Sequence, residues 1–534
     1  MIPRRRVVCA TRRPVVELPK NGIWDYQEQE RTVVPWTRLP PEIRLMVLEQ
    51  VRESAKGQLA SRGKRTYEMS IYATVCREWQ SFFEKENFKR LILHQSDIFL
   101  FGAFTHGQQQ RRAWIEWIWL RIELPQYDCK KCQKAETLDE IRNNNIVFTK
   151  AVWGLFNILS TWERDLSSVH PYKGLRLELG VYSPSDATHF CKELQCRVND
   201  TSWSNIIGIQ NRGFHDKAHG WREERQLRPT GDALRRVFGP SCGLAFDLRI
   251  STARQLEKVL PKVNIITVLV IRRQFYRHYS ISKALQPIIQ SLPQLFDIRY
   301  EHWRDPEGED GLAVRDAEHH ILLSMLRAQT NLRRFRIFED FRPLYHGKED
   351  RKFCPSLGQA LAESSQHLDE LLVTFSIDAK DFFSQVSGEM MWHNLRLLSL
   401  TTPALSPLRH DQLIQEAAKI IPRMPQLKIM ELWHIGHYFA CVFEYSLGYP
   451  SLRPSIRLLS TWDGKLSAEA ISCWKEVTNE HRGELRSESV WLDPKKARSH
   501  FAIMRLLLVR RRVVHSTSYE QLRSSRHENR FCRA

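Results

Sequence analysis

From Leu295 onward one short pattern keeps returning: a leucine, two residues, an apolar residue, one more residue, and a second apolar residue. It reads LFDIRY at Leu295, LRRFRI at Leu332, LDELLV at Leu368, LRLLSL at Leu395 and LKIMEL at Leu427, with starts 37, 36, 27 and 32 residues apart. Alternation of this kind is the period of a β-strand. Between these runs lie stretches of helical period. Ile281, Leu285, Ile288, Ile289 and Leu292 form one face, Val314, Ala317, Ile321, Leu322 and Met325 a second, and Leu413, Ala417, Ile420, Ile421 and Met424 a third. Strand then helix, repeated, restricts the chain to an α/β architecture in which each unit needs a neighbour to bury its apolar face. Trp114–Leu124, Gly174–Tyr182 and Ile266–Arg273 read as earlier strands of the same sheet.

The pattern resembles leucine-rich repeats, with two departures. Their spacing is usually shorter, and three positions beyond the last apolar residue they carry an Asn or Cys that satisfies turn backbone. Here those positions are Trp303, Asp340, Ser376, Pro403 and Ile435. The expected fold class is α/β overall: a small all-α module, then an irregular leucine-rich-repeat-like solenoid over residues 95–490. An unrelated α/β domain with the same alternation is the alternative.

The helical module spans residues 36–94. In PPEIRLMVLEQVRES, Pro40 and Pro41 precede a run in which Ile43, Val47 and Val51 share one side while Leu45 and Leu48 lie well round the cylinder. A surface helix of a globular domain has one buried stripe, so this one needs two partners. A polar stretch, Lys56–Glu68, reads as a loop. Tyr72, Val75, Cys76, Trp79 and Phe83 then fall at helical spacing, and Phe88, Leu91 and Leu93 close the unit.

Leu39, Pro40, Glu42, Ile43 and Leu48, followed by Val75, Cys76, Arg77, Trp79, Phe88, Arg90 and Leu91, resemble an F-box. WIWLRIELP and LGVYSPSD add a looser similarity to large F-box proteins of filamentous fungi. The resemblance implies docking on the Skp adaptor, and through it on a cullin, as the substrate-recognition subunit of a ubiquitin ligase. The adaptor-binding residues it implies are Leu39, Pro40, Pro41, Glu42, Ile43, Leu45, Leu48, Val75, Cys76 and Trp79. It implies no catalysis by this chain, because the assembled ligase recruits the enzyme that carries ubiquitin. The target protein is unknown, and exposed-type residues near the strands (Arg333, Arg334, Arg336, Glu431 and His434) are candidates to touch it. A scaffold whose F-box-like module merely caps the repeats and builds no ligase is the alternative.

The net charge of +19 is concentrated at the ends: residues 1–16 hold +5 and residues 495–534 hold +9. A nucleic-acid domain places such charge on a folded face, so no specific nucleic-acid partner is expected. Residues 1–35 read as a disordered basic segment, and 491–534 as a basic helix and tail in which RLLLVRRRVV (Arg505–Val514) resembles an import signal or anionic-surface patch. No apolar run reaches the ~18–20 residues of a membrane span, and no secretory leader is visible. Eleven scattered cysteines, an odd count, suit a reducing compartment. An intracellular protein, of cytoplasm or nucleus, is expected.

No metal or cofactor site is assigned from sequence. Cys129 and Cys132 have a two-ligand spacing, but zinc ordinarily takes four ligands. His189, Cys191 and Cys196 lie some 60 residues on without a second Cys-x-x-Cys, so free thiols are the expectation. His215 and His219 are four apart but lack the Glu of a zincin. The segment 198–230, with Trp203 and Trp221, is longer than most loops. No phosphate-binding loop, dinucleotide fingerprint or nucleophile elbow occurs.

Overall fold

A computed structural model describes residues 35–62, 67–162, 174–191, 216–222, 225–240, 242–247, 259–306, 309–347, 353–386, 388–436, 439–448, 453–479 and 484–524. The chain divides at Ser54/Ala55 into two compact units. In the first, a short 3₁₀ turn at Trp36–Arg38 leads into helix α1 (Pro41–Arg62), whose C-terminal turns continue beyond the boundary. Pro41 at the first helical position sacrifices an N–H that would have no partner there, and Glu42 faces the positive end of the helix dipole. The helix runs through Lys56–Arg62, which polar composition alone marks as loop.

The second unit begins with two short helices, α2 (Tyr67–Tyr72) and α3 (Arg77–Phe88), broken by a turn at Ala73–Val75 where the spacing predicts one continuous helix. Leu91 and Leu93, expected to close the helical module, instead lie in strand β1 (Arg90–His94) at the edge of the main sheet. The later strands are β2 (Trp117–Glu123), β3 (Leu175–Tyr182), a two-stranded hairpin β4–β5 (Trp221–Arg222 and Arg225–Gln226), β6 (Ile266–Ile271), β7 (Asp297–Trp303), β8 (Arg334–Asp340), β9 (Glu370–Thr374), β10 (Leu397–Thr401), β11 (Ile429–Ile435), β12 (Ala440–Leu447), β13 (Pro454–Ser460) and β14 (Arg486–Trp491). Apart from the hairpin they form one 12-stranded sheet in chain order. Pairing is parallel from β1 to β11, antiparallel across β12, and parallel again between β13 and β14.

The α/β class is therefore as the sequence predicts. Asp297, Arg334, Glu370, Leu397 and Ile429 stand side by side in register across β7 to β11. Each lies two residues beyond one of the five pattern leucines, and Leu295, Leu332, Leu368, Leu395 and Leu427 are all fully buried. Ile298, Tyr300, Phe335, Ile337, Leu371, Val373, Leu398, Leu400, Met430 and Leu432 point into one large core shared with the helices. One helix departs from its predicted face. Glu309–Ala328 keeps Leu322 and Met325 of that face buried, but it exposes Val314 and Ala317 and buries Arg315, His319, Leu323 and Leu326. Two polar side chains cause the difference: Arg315 Nη1 donates to the Trp303 carbonyl at 2.9 Å, and His319 meets His302 at 3.3 Å between their Nε2 atoms.

The opposite face of the sheet is also covered. After β14 the chain turns back through three short helices, His500–Met504, Arg510–Val513 and Ser516–Ser524. Phe501, Ile503, Met504, Leu507, Val509, Val513, Val514 and Leu522 pack on Phe338, Leu372, Phe375, Leu397, Trp433 and Val442. Acidic side chains in the strands hold this crossing. Glu431 of β11 accepts from the Leu508 and Val509 N–H groups, Glu370 of β9 meets Arg512 at 2.6 Å, and Glu301 of β7 accepts from His515 N–H and the Ser518 hydroxyl. So the described part of the basic C-terminal segment is not a solvated tail. No helix among the described residues is long and apolar enough to cross a membrane.

Candidate functional site

The predicted adaptor-binding residues separate by exposure. On α1 and the turn before it, Pro40, Pro41, Glu42, Ile43 and Leu45 face solvent, Leu39 is half-buried and Leu48 is buried. Ile43, Leu45 and Met46 are 42%, 49% and 63% exposed. In the other unit Val75 and Cys76 are exposed in the turn before α3. Trp79 is half-buried, its ring 5.6 Å from Phe83 and 6.1 Å from Tyr72. Leu48 and Trp79 thus act as packing residues, while Pro40, Pro41, Glu42, Ile43 and Leu45 in the first unit and, separately, Val75 and Cys76 in the second are accessible.

The residues expected to face a target are mostly covered. Arg336 is buried between Asp297, at 2.9 Å, and Glu370, at 2.7 Å. Glu431 lies under the C-terminal crossing, and burial raises its carboxyl to about 8. His434 is also buried, its pKa lowered by desolvation to about 4. Only Arg333 and Arg334 remain partly accessible. Their type suggested exposure, but the crossing chain that buries the others could not be anticipated from β-strand spacing. What remains open beside it is a cleft of about 850 Å³ lined by Arg334, Arg396, Lys428, Arg510, Arg511 and Arg512, with Asp369 and Glu370. Glu370 already pairs with Arg334, Arg336 and Arg512, so the cleft is electropositive.

A third constellation forms at the C-terminal ends of β2 and β3, where parallel sheets of α/β proteins place their ligands. The loop after β2 supplies Tyr127 and Cys129; His189 ends the short helix Pro184–Thr188 after β3; His219 ends the 3₁₀ turn Lys217–His219. That turn closes on Gly220, whose φ of 75° suits glycine. Cys129 Sγ lies 3.6 Å from His189 Nδ1 and 3.6 Å from His219 Nε2, and those two nitrogens are 2.9 Å apart. The loops are tied together by further bonds. Tyr127 stacks on His189 with its hydroxyl on Asp186 Oδ1 at 2.8 Å, and Trp221 Nε1 donates to the Phe190 carbonyl at 3.0 Å. Burial raises Asp186 to about 6 and lifts the Tyr127 phenol far above its ordinary value. Of the other sequence candidates, Cys132 and Cys191 are buried in the adjoining apolar cluster with Phe190 and Val237, and His215, Cys196 and Trp203 lie outside the described residues. The Cys-x-x-Cys was the visible signal, but its histidine partners came from two separate loops.

A family model described as a family of unknown function (DUF6546) matches residues 327–515. No curated protein matches the chain. The matched span takes in β8 to β14 and the crossing as far as His515. It leaves out the N-terminal helices and the Cys129–His189–His219 constellation.

Proposed function

We propose that the chain is the substrate-recognition subunit of a cullin-based ubiquitin ligase, docking a Skp adaptor through Pro40–Leu45 of the first unit. The observation that carries this reading is the exposure of Ile43, Leu45 and Met46 on a helix whose buried anchor is Leu48. Neighbouring exposed apolar side chains of this size favour a partner surface. The capping alternative differs in requiring the same residues to pack on the repeats. The chain then contributes proximity, holding a target near a loaded ubiquitin carrier. With most of the sheet's second face occupied by the crossing, the target surface on this reading is the electropositive cleft, which favours an acidic partner.

Binding of the full-length protein to a purified Skp adaptor, measured by calorimetry, tests the docking. Ile43→Asp is expected to weaken binding by at least about tenfold, roughly 1.4 kcal/mol. Because Ile43 is exposed, its thermal midpoint should hardly move, surface changes costing within about 0.5 kcal/mol. Wild-type protein that does not bind the adaptor, or an Ile43→Asp protein that binds as well, would overturn the reading.

A further inference from the structure

We propose that Cys129, His189 and His219 hold a zinc ion. Hydrogen bonds behind the two imidazoles fix their tautomers. His189 Nε2 faces the Tyr127 carbonyl at 3.4 Å, an acceptor only, so its proton sits on that nitrogen. His219 Nδ1 faces Asp216 Oδ2 at 2.7 Å, which places its proton there. Both remaining nitrogens, His189 Nδ1 and His219 Nε2, then present lone pairs to each other at 2.9 Å with the Cys129 sulfur 3.6 Å from each. Three electron-pair donors converging in a largely buried spot offer a cation three ligands at once. A carbonyl on one metal-binding histidine and a carboxylate on the other is the outer-shell arrangement that fixes tautomer and ring orientation at zinc sites.

The spacing fits the ion. Tetrahedral zinc bonds sulfur at about 2.3 Å and imidazole nitrogen at about 2.0–2.1 Å, which puts sulfur and nitrogen about 3.6 Å apart and the two nitrogens about 3.3 Å apart. The sulfur distances already match, and the nitrogens need to part by only a few tenths of an ångström. One thiolate with two imidazoles is a borderline-soft set suited to zinc rather than to magnesium or calcium, which take oxygen. Cys132 is not assigned as a ligand, because its Sγ lies on the Cys129 carbonyl at 3.2 Å. Among the described residues Cys129 is exposed while both histidines are buried, so the fourth position of the ion lies on the sulfur side. Binding would fasten the loops after β2 and β3 and the turn before β4 to one point.

The test is metal analysis of the full-length protein, desalted after incubation with zinc, together with the visible spectrum of the cobalt-loaded form. About one zinc per chain is expected, with a thiolate-to-cobalt charge-transfer band in the near ultraviolet. Cys129→Ser should abolish that band, and His189→Gln should release the metal. Cys132→Ser and Cys242→Ser, the latter at an exposed thiol elsewhere, should retain it. Should His189→Gln fail to fold, Cys129→Ser still decides, since its side chain is exposed. Wild-type protein without stoichiometric metal would overturn the proposal, the two imidazoles then sharing a proton. Retention of metal by Cys129→Ser and His189→Gln would overturn it too, and loss in Cys132→Ser would replace it by a closed four-ligand site.

Discussion

Glu431 shows how the second face of the sheet turns one side chain into a pH-sensitive element. Its Oε1 accepts two backbone N–H groups from the crossing, yet the surrounding burial outweighs them and raises the carboxyl from 4.5 to about 8. Glu444 nearby pushes the same way, and Arg457 opposes it. Because the folded value lies above the unfolded one, the native state holds the extra proton between about 4.5 and 8. Its stability should therefore fall as pH rises across that window. Glu431→Gln keeps an acceptor for both N–H groups and removes the ionisation. Urea midpoints at pH 5, 7 and 9 should show the variant close to wild type at pH 5 and more stable at pH 9, by on the order of 1–3 kcal/mol. A difference that does not change with pH would mean that Glu431 is ionised throughout. Composition alone could not place this carboxylate. A glutamate in a strand reads as a solvent-facing residue, and the segment that covers it lies 77 residues on.

At the scale of elements, the five pattern leucines marked the strands because each ends a helix-to-strand connection by plugging the core, a role only a buried apolar residue fills. The helix Glu309–Ala328 was legible as a helix and in its Leu322 and Met325, but its buried face also includes Arg315 and His319, which the apolar period cannot count. The Cys129 constellation was half legible for a related reason. A Cys-x-x-Cys is local, whereas His189 and His219 stand 60 and 90 residues away, one beyond β3 and the other in the turn before the β4–β5 hairpin. The C-terminal crossing was the largest miss: its arginines, clustered at Arg510–Arg512, read as a charge run, although Leu507, Val509, Val513 and Val514 are buried. Its contribution is measurable by a matched pair. Leu507→Ala empties a fully buried position and should cost about 2–5 kcal/mol. Leu508→Ala, at a neighbour 49% exposed, should stay within about 0.5 kcal/mol. Equal costs from urea denaturation would mean that the crossing is not packed as described.

At the scale of the whole molecule, the question is whether the crossing belongs to the core or only lies on it. Phe338, Leu372, Phe375, Leu397 and Trp433 are buried within the cluster it completes. Removing it would present them to water as a contiguous apolar patch larger than soluble monomers tolerate. The charges make matters worse for the truncated chain. Glu301 and Glu370 would lose His515, Ser518 and Arg512 as partners, while Arg336 would stay wedged between Asp297 and Glu370. A chain ending at Trp491 keeps β14 intact and deletes the crossing. It should bind a hydrophobic dye, self-associate in size-exclusion chromatography with light scattering, and unfold well below the full-length protein. A synthetic peptide covering residues 493–524, added in trans, should restore the monomer, because the surfaces it meets are formed by strands that pair without it. A truncated chain that is monomeric, dye-silent and as stable as the parent would show instead that the crossing is a separable cover, leaving the sheet's second face available to a partner.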